Sequence, residues 1–95
     1  MSIRTGYLED RIQASYAAVP ERTREDLYEA LQWARETLTG MEGEGHEFHI
    51  TSDGKNGMVC CSFYKPEWPG DHCGRGMESG SEAIVMAVCE YIEGS

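Results

Sequence analysis

Residues 46–64 read HEFHITSDGKNGMVCCSFY, and this stretch decides the fold class. Two segments rich in strand-forming residues flank the tract 53–57, DGKNG, which is typical of a hairpin loop. If Asp53 pairs with Met58, the apolar residues gather on one face of the hairpin, whereas a shift by one residue would scatter them. The inward face is then predicted to contain Phe48, Ile50, Val59, Cys61 and Phe63, and the outward face Glu47, His49, Thr51, Met58, Cys60, Ser62 and Tyr64.

Two helices are predicted ahead of the hairpin. The first covers residues 6–18 and ends before Pro20, because the residue that precedes a proline is pushed out of the helical region. The second opens at Pro20 or Thr23, where the sequence TRED resembles a capping box, and ends at Gly40. Its core-facing stripe is predicted to consist of Leu27, Leu31, Ala34 and Leu38.

Two further elements are predicted after the hairpin. Residues 71–77 form a short third strand at a sheet edge, where the two glycines of this segment are tolerated. Residues 79–82, SGSE, are a capping box that opens a helix over residues 82–93, and Gly94 ends this helix. The apolar face of the helix is predicted to contain Ile84, Val85, Val88, Cys89 and Ile92.

The order of these elements predicts an α+β fold. It has N-terminal helices, a two- to three-stranded antiparallel sheet, and a C-terminal helix packed on one face of the sheet. We expect one domain over residues 1–95, with residues 1–19 as an N-terminal helical arm and residues 20–95 as the α-β-β-(β)-α core. No apolar run reaches the ~18 residues of a membrane span, and the first residues have no signal-peptide character, so we expect a cytoplasmic protein.

The charge is strongly negative. Seventeen acidic residues stand against eight basic ones, which gives a net charge of −9. Such a field repels nucleic acid and anionic membranes and steers a protein toward basic surfaces. We therefore expect no direct nucleic-acid binding and no membrane binding, and the alternative reading of the charge is simple solubility.

Histidines and cysteines raise the question of a metal site or a nucleophile. His49, Cys60, His72 and Cys73 could combine as ligands, but the adjacent Cys60 and Cys61 point to opposite faces of a strand and cannot share one ion. No nucleophile motif accompanies them. The sequence therefore predicts free buried thiols, no metal, no cofactor and no enzymatic activity, with a metal- or thiol-linked regulatory domain as an alternative.

Candidate contact residues for a basic partner are acidic side chains on loops and on the outward strand face, together with one tryptophan. Trp68, between two prolines, is either a cover over the core edge or an anchor for a partner. The alternative function is a small-ligand, nucleotide-type sponge or sensor, with Trp68, His72 and Arg75 around a pocket at an oligomer interface. Whether the chain is a dimer stays open. The predicted partner-binding residues are Glu42, Glu44, Glu47, Asp53, Glu67, Trp68 and Asp71.

From Leu27 onward, a helix, a hairpin, a short strand and the helical segment 79–92, SGSEAIVMAVCEYI, follow one another. This order resembles small phage-encoded α/β sandwich proteins, including acidic anti-defence inhibitors of the anti-CRISPR type. The resemblance implies a nucleic-acid mimic that inhibits a host complex by occupying its basic nucleic-acid-binding surface in the host cytoplasm. The order also partly resembles the double-stranded-RNA-binding domain, but the basic patches of that domain are missing. A bacterial immunity protein or antitoxin would share the acidic charge.

Overall fold

A computed structural model describes the backbone of residues 2–94 and the side chains of residues 7–94. The predicted α+β class is confirmed: helices are combined with an antiparallel sheet of strand order β1-β2-β3. The elements are α1 (Ser2–Ala18), α2 (Glu21–Glu25), α3 (Leu27–Glu42), β1 (Glu47–Asp53), β2 (Met58–Tyr64), β3 (His72–Cys73) and α4 (Gly80–Gly94). No helix in this described range is long and apolar enough to cross a membrane.

The hairpin has the predicted register. Asp53 pairs with Met58 and Phe48 pairs with Phe63. The loop closes with a hydrogen bond from Gly57 N to Asp53 O of 2.9 Å, and Gly57 adopts a φ of 68°, which suits glycine. On the inward face Cys61 and Phe63 are fully buried, whereas Ile50 is 41% exposed. The burial falls off toward β1 because α4 packs mainly over β2.

The third strand is shorter than predicted and is followed by a bulge. Cys73 pairs with Ser62, but Val59 forms its bridge with Met77, one residue later than the β3 register would place it. One extra residue is therefore accommodated between the two pairings. Within this segment Gly74 is buried against Ala87 of α4.

Helix α4 lies between the sheet and helices α1–α3. The predicted serine cap is present: Glu82 N donates to Ser79 Oγ at 3.3 Å, and the Glu82 carboxylate accepts from the Ser79 hydroxyl at 2.8 Å, where a full capping box would use the Ser79 backbone N–H. The helix begins at Gly80, two residues earlier than predicted. Residues 83–89 are all buried, so the helix is covered almost all round rather than on the predicted face alone. Ile92, on the predicted face, is half-buried.

Helix α3 differs from the prediction at both ends and in its buried face. Asp26 is extended and caps α3 by accepting from Glu29 N at 3.2 Å, so α3 begins at Leu27 and not at Pro20 or Thr23. Aspartate is a preferred cap, and this local preference separates α2 from α3. At the other end α3 continues through Gly40 to Glu42 and ends at Gly43.

The buried residues of α3 are Ala30, Ala34 and Leu38. The predicted stripe is wrong at Leu27, which is 48% exposed, and Leu31 is only half-buried. Two alanines on the buried face let α3 approach α4 closely, so the helix turns this face inward and leaves Leu27 and Leu31 at its border.

Helix α1 begins at Ser2, earlier than predicted, and packs against α4. Among residues 7–18 of this helix Ile12 is buried, with 6% of its surface exposed. At its outer edge Arg11 forms an ion pair of 3.0 Å with Glu93 of α4. The segment predicted as an N-terminal arm is thus fastened to the central helix.

Candidate functional site

One end of the molecule carries a cluster of aromatic rings that five parts of the chain supply. Phe63 of β2 contacts Tyr91 of α4, with ring centroids 5.2 Å apart, and Trp68 of the loop after β2, at 6.1 Å. His72 of β3 lies 5.3 Å from both Phe63 and Tyr91, and His46, just before β1, lies 5.6 Å from Trp68. These five residues are called the aromatic cluster below.

Trp68 is held over the edge of the core by its own loop. Its backbone N–H donates to Lys65 O at 2.9 Å, and a proline on each side restricts the turn. The indole ring lies 5.6 Å from the Tyr91 ring at an angle of 31°. Trp68 is half-buried, so it covers Phe63 with one part of the ring and presents the rest to solvent.

Glu42, a predicted contact residue, makes contacts within the protein. Its carboxylate accepts from the Tyr91 hydroxyl at 3.0 Å and lies 2.7 Å from Nε2 of His46, whose side chain is only 2% exposed. Burial, followed by the hydrogen bond to Glu42, raises the pKa of Tyr91. Glu42 therefore ties the end of α3 to α4 and to the linker before β1.

Four other predicted residues, Glu44, Glu47, Glu67 and Asp71, are exposed around the aromatic cluster. They are called the acidic rim below. Glu67 pairs with Lys65 at 3.2 Å, and its pKa is lowered by its own backbone N–H and then by Lys65. Lys65 also donates to Glu42 O at 3.0 Å. Within the described residues, no cation pairs with Glu44, Glu47 or Asp71, so the rim keeps most of its negative charge.

Asp53 lies apart from the rim. It sits at the hairpin loop, where its carboxylate accepts from Lys55 N at 2.9 Å and from Asn56 Nδ2 at 2.8 Å. The length of β1, at about 3.3 Å a residue, separates it from Glu47 by roughly 20 Å. The predicted contact set is therefore one group at the aromatic end and one aspartate at the opposite end of the hairpin.

A surface pocket of about 370 Å³ opens beside Trp68. His72 forms part of its wall, and the Nε2 atom of His72 is buried with no hydrogen-bond partner. A ligand with one polar group and a flat apolar body would match such a wall. The lining residues are Trp68, Pro69, Gly70, Asp71, His72 and Tyr91.

Arg75, which the small-ligand hypothesis places in this pocket, is engaged elsewhere. Its guanidinium makes two hydrogen bonds to Glu9 of α1, at 2.6 and 2.8 Å, and one to Glu90 of α4, at 2.8 Å. The bonds from Arg75, followed by one from Gln13, lower the pKa of Glu9 to about 2, and the bonds to Glu9 and Glu90 raise the pKa of Arg75. Arg75 lies in the bulged segment after β3, and its side chain links this segment to α1 and α4.

The predicted metal candidates are divided between the two faces of the sheet. His49, Cys60 and Cys73 lie on the outer face, where the His49 ring stacks on Tyr64 at 5.5 Å, whereas His72 points to the aromatic cluster. Across residues 7–94, no three such side chains are placed to hold a metal ion.

All four cysteines are free thiols, but they differ in burial. Cys61 and Cys89 are buried, Cys60 is half-buried and Cys73 is exposed. Burial raises the pKa of Cys61 to about 12. Free thiols are as predicted, although burial does not extend to Cys73.

Sequence reasoning missed Tyr91 and His46 as parts of this site. Tyr91 follows Ile84 and Val88 at helical spacing, so its position on a core-facing side of α4 could have been inferred. No local signal marks His46, because its burial depends on Trp68 and on the end of α3.

Comparison of the chain with protein-family models, with curated proteins and with solved structures finds no match.

Proposed function

We propose that this protein is a non-enzymatic binding protein that presents the acidic rim to a basic surface of another protein or complex. The observation that supports this best is the exposure of Glu44, Glu47 and Asp71 around a partly open tryptophan, with no cation paired to them in the described part of the chain. The carboxylates of the acidic rim would occupy the positions that the phosphates of a nucleic acid take in the partner's usual complex. Long-range attraction would raise the association rate, and Trp68 would supply the apolar contact.

The specific form of this proposal is a phage-encoded, anti-CRISPR-type inhibitor that occupies the nucleic-acid-binding surface of a host complex. The net charge of −9 supports a nucleic-acid mimic, because such a surface is basic. Free thiols, including the exposed Cys73, support action in a reducing compartment such as the cytoplasm.

The test uses two double charge reversals that change the net charge equally. Glu44→Lys/Asp71→Lys alters the rim, and Asp10→Lys/Glu25→Lys alters exposed positions on α1 and α2. Each protein is used as bait in a lysate of the source or host cell, and the association rate of the captured partner is measured against salt.

We expect the rim variant to lose the partner through slower association, and the α1–α2 variant to keep most of the binding. Binding by the unaltered protein should weaken as salt rises. Equal retention by both variants would contradict the proposal, since it would mean that the position of the charge does not matter.

A second candidate function is the small-ligand sponge or sensor, and the buried, unpartnered Nε2 of His72 in the wall of the pocket beside Trp68 favours it. The test is titration with nucleotides while tryptophan fluorescence is recorded in a Trp33→Phe variant, in which Trp68 is the remaining tryptophan. Saturable quenching that His72→Phe abolishes would support a ligand site, and a flat response to all nucleotides would remove this alternative.

A further inference from the structure

Strand β1 has a free edge, and the structure shows which of its backbone groups face outward. It pairs with β2 on one side, and on the other side no described element lies against it. In β2, Val59 exchanges two backbone hydrogen bonds with Met77, and Cys61 O accepts one from Gly74 N. The backbone groups of Val59 and Cys61 therefore point away from β1. In an antiparallel ladder these groups alternate from side to side along a strand.

The β1 partners of Val59 and Cys61 are Ser52 and Ile50, and these pairs are therefore the non-hydrogen-bonded ones. By the same alternation Phe48 belongs to this set. The N–H and C=O groups of Phe48, Ile50 and Ser52 thus point to the open side of β1. An unpaired row of this kind is a template for one more strand.

Apolar side chains border this free edge. Leu27 is 48% exposed and Ile50 is 41% exposed, and both come within 4 Å of the point where a side chain on Gly80 would begin. A surface pocket of about 230 Å³ follows along α3, lined in part by Tyr28, Leu31 and Arg35. The Arg35 guanidinium lies 6.0 Å from the centre of the Phe48 ring and links this pocket to β1.

Charge argues against a second copy of the chain as the occupant of this edge. Symmetric antiparallel pairing about Ile50, the centre of the seven-residue strand, would set Glu47 of each copy opposite Asp53 of the other. Like charges directly opposite each other destabilise a strand pair. Two chains of net charge −9 would also repel each other.

We propose that the free edge of β1 binds an extended segment of a basic partner protein by adding it to the sheet as a fourth strand. This inference rests on the proposed function and names the chemistry of the partner. In antiparallel pairing, basic residues of the segment lie opposite Glu47 and Asp53, six positions apart. Apolar residues lie opposite Phe48 and Ile50, where they reach the apolar surface beside Leu27.

The test uses a synthetic peptide with this pattern, acetyl-KTTVTLK-amide, and follows its binding by NMR. Two peptide derivatives separate strand addition from charge attraction. Methylation of the valine backbone nitrogen removes a hydrogen bond to Ile50, whereas methylation of the following threonine nitrogen alters a group that points away from β1. We expect the first derivative to bind about fivefold more weakly than the second, as for the loss of one hydrogen bond.

Two protein variants provide the matching comparison. Ser52→Pro removes an outward N–H that makes no bond within the sheet, and Ser52→Ala removes the same side-chain hydroxyl but keeps the N–H. We expect Ser52→Pro to weaken peptide binding relative to Ser52→Ala. Circular dichroism should show that both proteins are folded. If Ser52→Pro does not fold, the two methylated peptides decide the question.

Three results would overturn the proposal. The first is no binding of the unmodified peptide at millimolar concentration, and the second is equal binding of the two methylated peptides. The third is self-association of the protein that Ser52→Pro abolishes, since it would assign the edge to a second copy. None of these decides the rim test, because Glu44 and Asp71 are unchanged in these proteins and the peptide does not pair with them.

Discussion

Of the glycines between residues 40 and 94, Gly74 is the one at which an added methyl group would meet the closest contacts. A Cβ on Gly74 would lie 2.7 Å from both Cα and Cβ of Ala87 and 3.1 Å from a carboxylate oxygen of Glu90. Ordinary contacts of this kind begin at 3.4 Å. Neither side can yield easily, because Gly74 N is bonded to Cys61 O at 2.9 Å and Ala87 belongs to the buried α4.

We expect Gly74→Ala to destabilise the protein by about 3 kcal/mol, at the upper end of the range for overpacking, since backbone must move. In a domain of this size such a loss lowers the melting temperature by about 12–24 °C. The matched control is Gly40→Ala. No atom lies within 4 Å of a Cβ at Gly40, which is inside α3 and has no positive φ.

Alanine is a better helix former than glycine, so Gly40→Ala should stabilise the protein by about 0.5–1 kcal/mol. Thermal and urea unfolding of the three proteins, followed by circular dichroism, give the comparison. Equal stability of Gly74→Ala and the unaltered protein would refute the close approach of β3 to α4. A lower melting temperature for Gly40→Ala would refute the continuation of α3 through residue 40.

Three further predictions concern the core, pH and the thiols. Leu38→Ala should cost about 2–5 kcal/mol in urea unfolding, because Leu38 is fully buried, and Leu31→Ala clearly less; the reverse order would contradict the observed face of α3. Because Arg75, followed by Gln13, lowers the pKa of Glu9 from 4.5 to about 2, these contacts should stabilise the fold above pH 4.5 and lose this effect as the pH falls toward 2. Urea unfolding across this range should therefore show the advantage over Glu9→Gln shrinking with acid, and an advantage independent of pH would contradict it. In the native protein a thiol reagent should modify the exposed Cys73 first, and Cys61 and Cys89 only after unfolding, since burial raises the pKa of both; rapid modification of all four thiols would disprove the burial of this pair.

The register of the hairpin could be predicted from local sequence. Side chains alternate along a strand, so the positions of Phe48, Ile50, Val59 and Phe63 argue against a register shifted by one residue, and the structure has the predicted register. The serine cap of α4 could be predicted in the same way, because Ser79 and Glu82 contact each other within one turn.

The ends of a helix were predicted less accurately where two local signals compete. Asp26 serves as the cap of α3 and not as the last residue of a capping box, and Gly40 is a helix residue and not its end. Gly43 ends the helix in its place, with a φ of 92°. Each signal is worth about 1 kcal/mol, so the packing of α3 on α4 selects between them.

The candidate site depended on the tertiary structure far more than the fold class did. Composition alone established the negative charge, but the separation of Asp53 from the acidic rim follows from the length of β1, and the engagement of Glu42 follows from the position of Tyr91. Arg75 was a ligand candidate in the sequence and is a link between α1 and α4 in the structure. Secondary structure and register were readable because periodicity and capping act between neighbours in the chain. Only the tertiary structure decided the aromatic cluster, the Arg75 link and the free edge of β1. The first two require residues from distant parts of the chain to meet, and the third requires that no described strand pairs with the second side of β1.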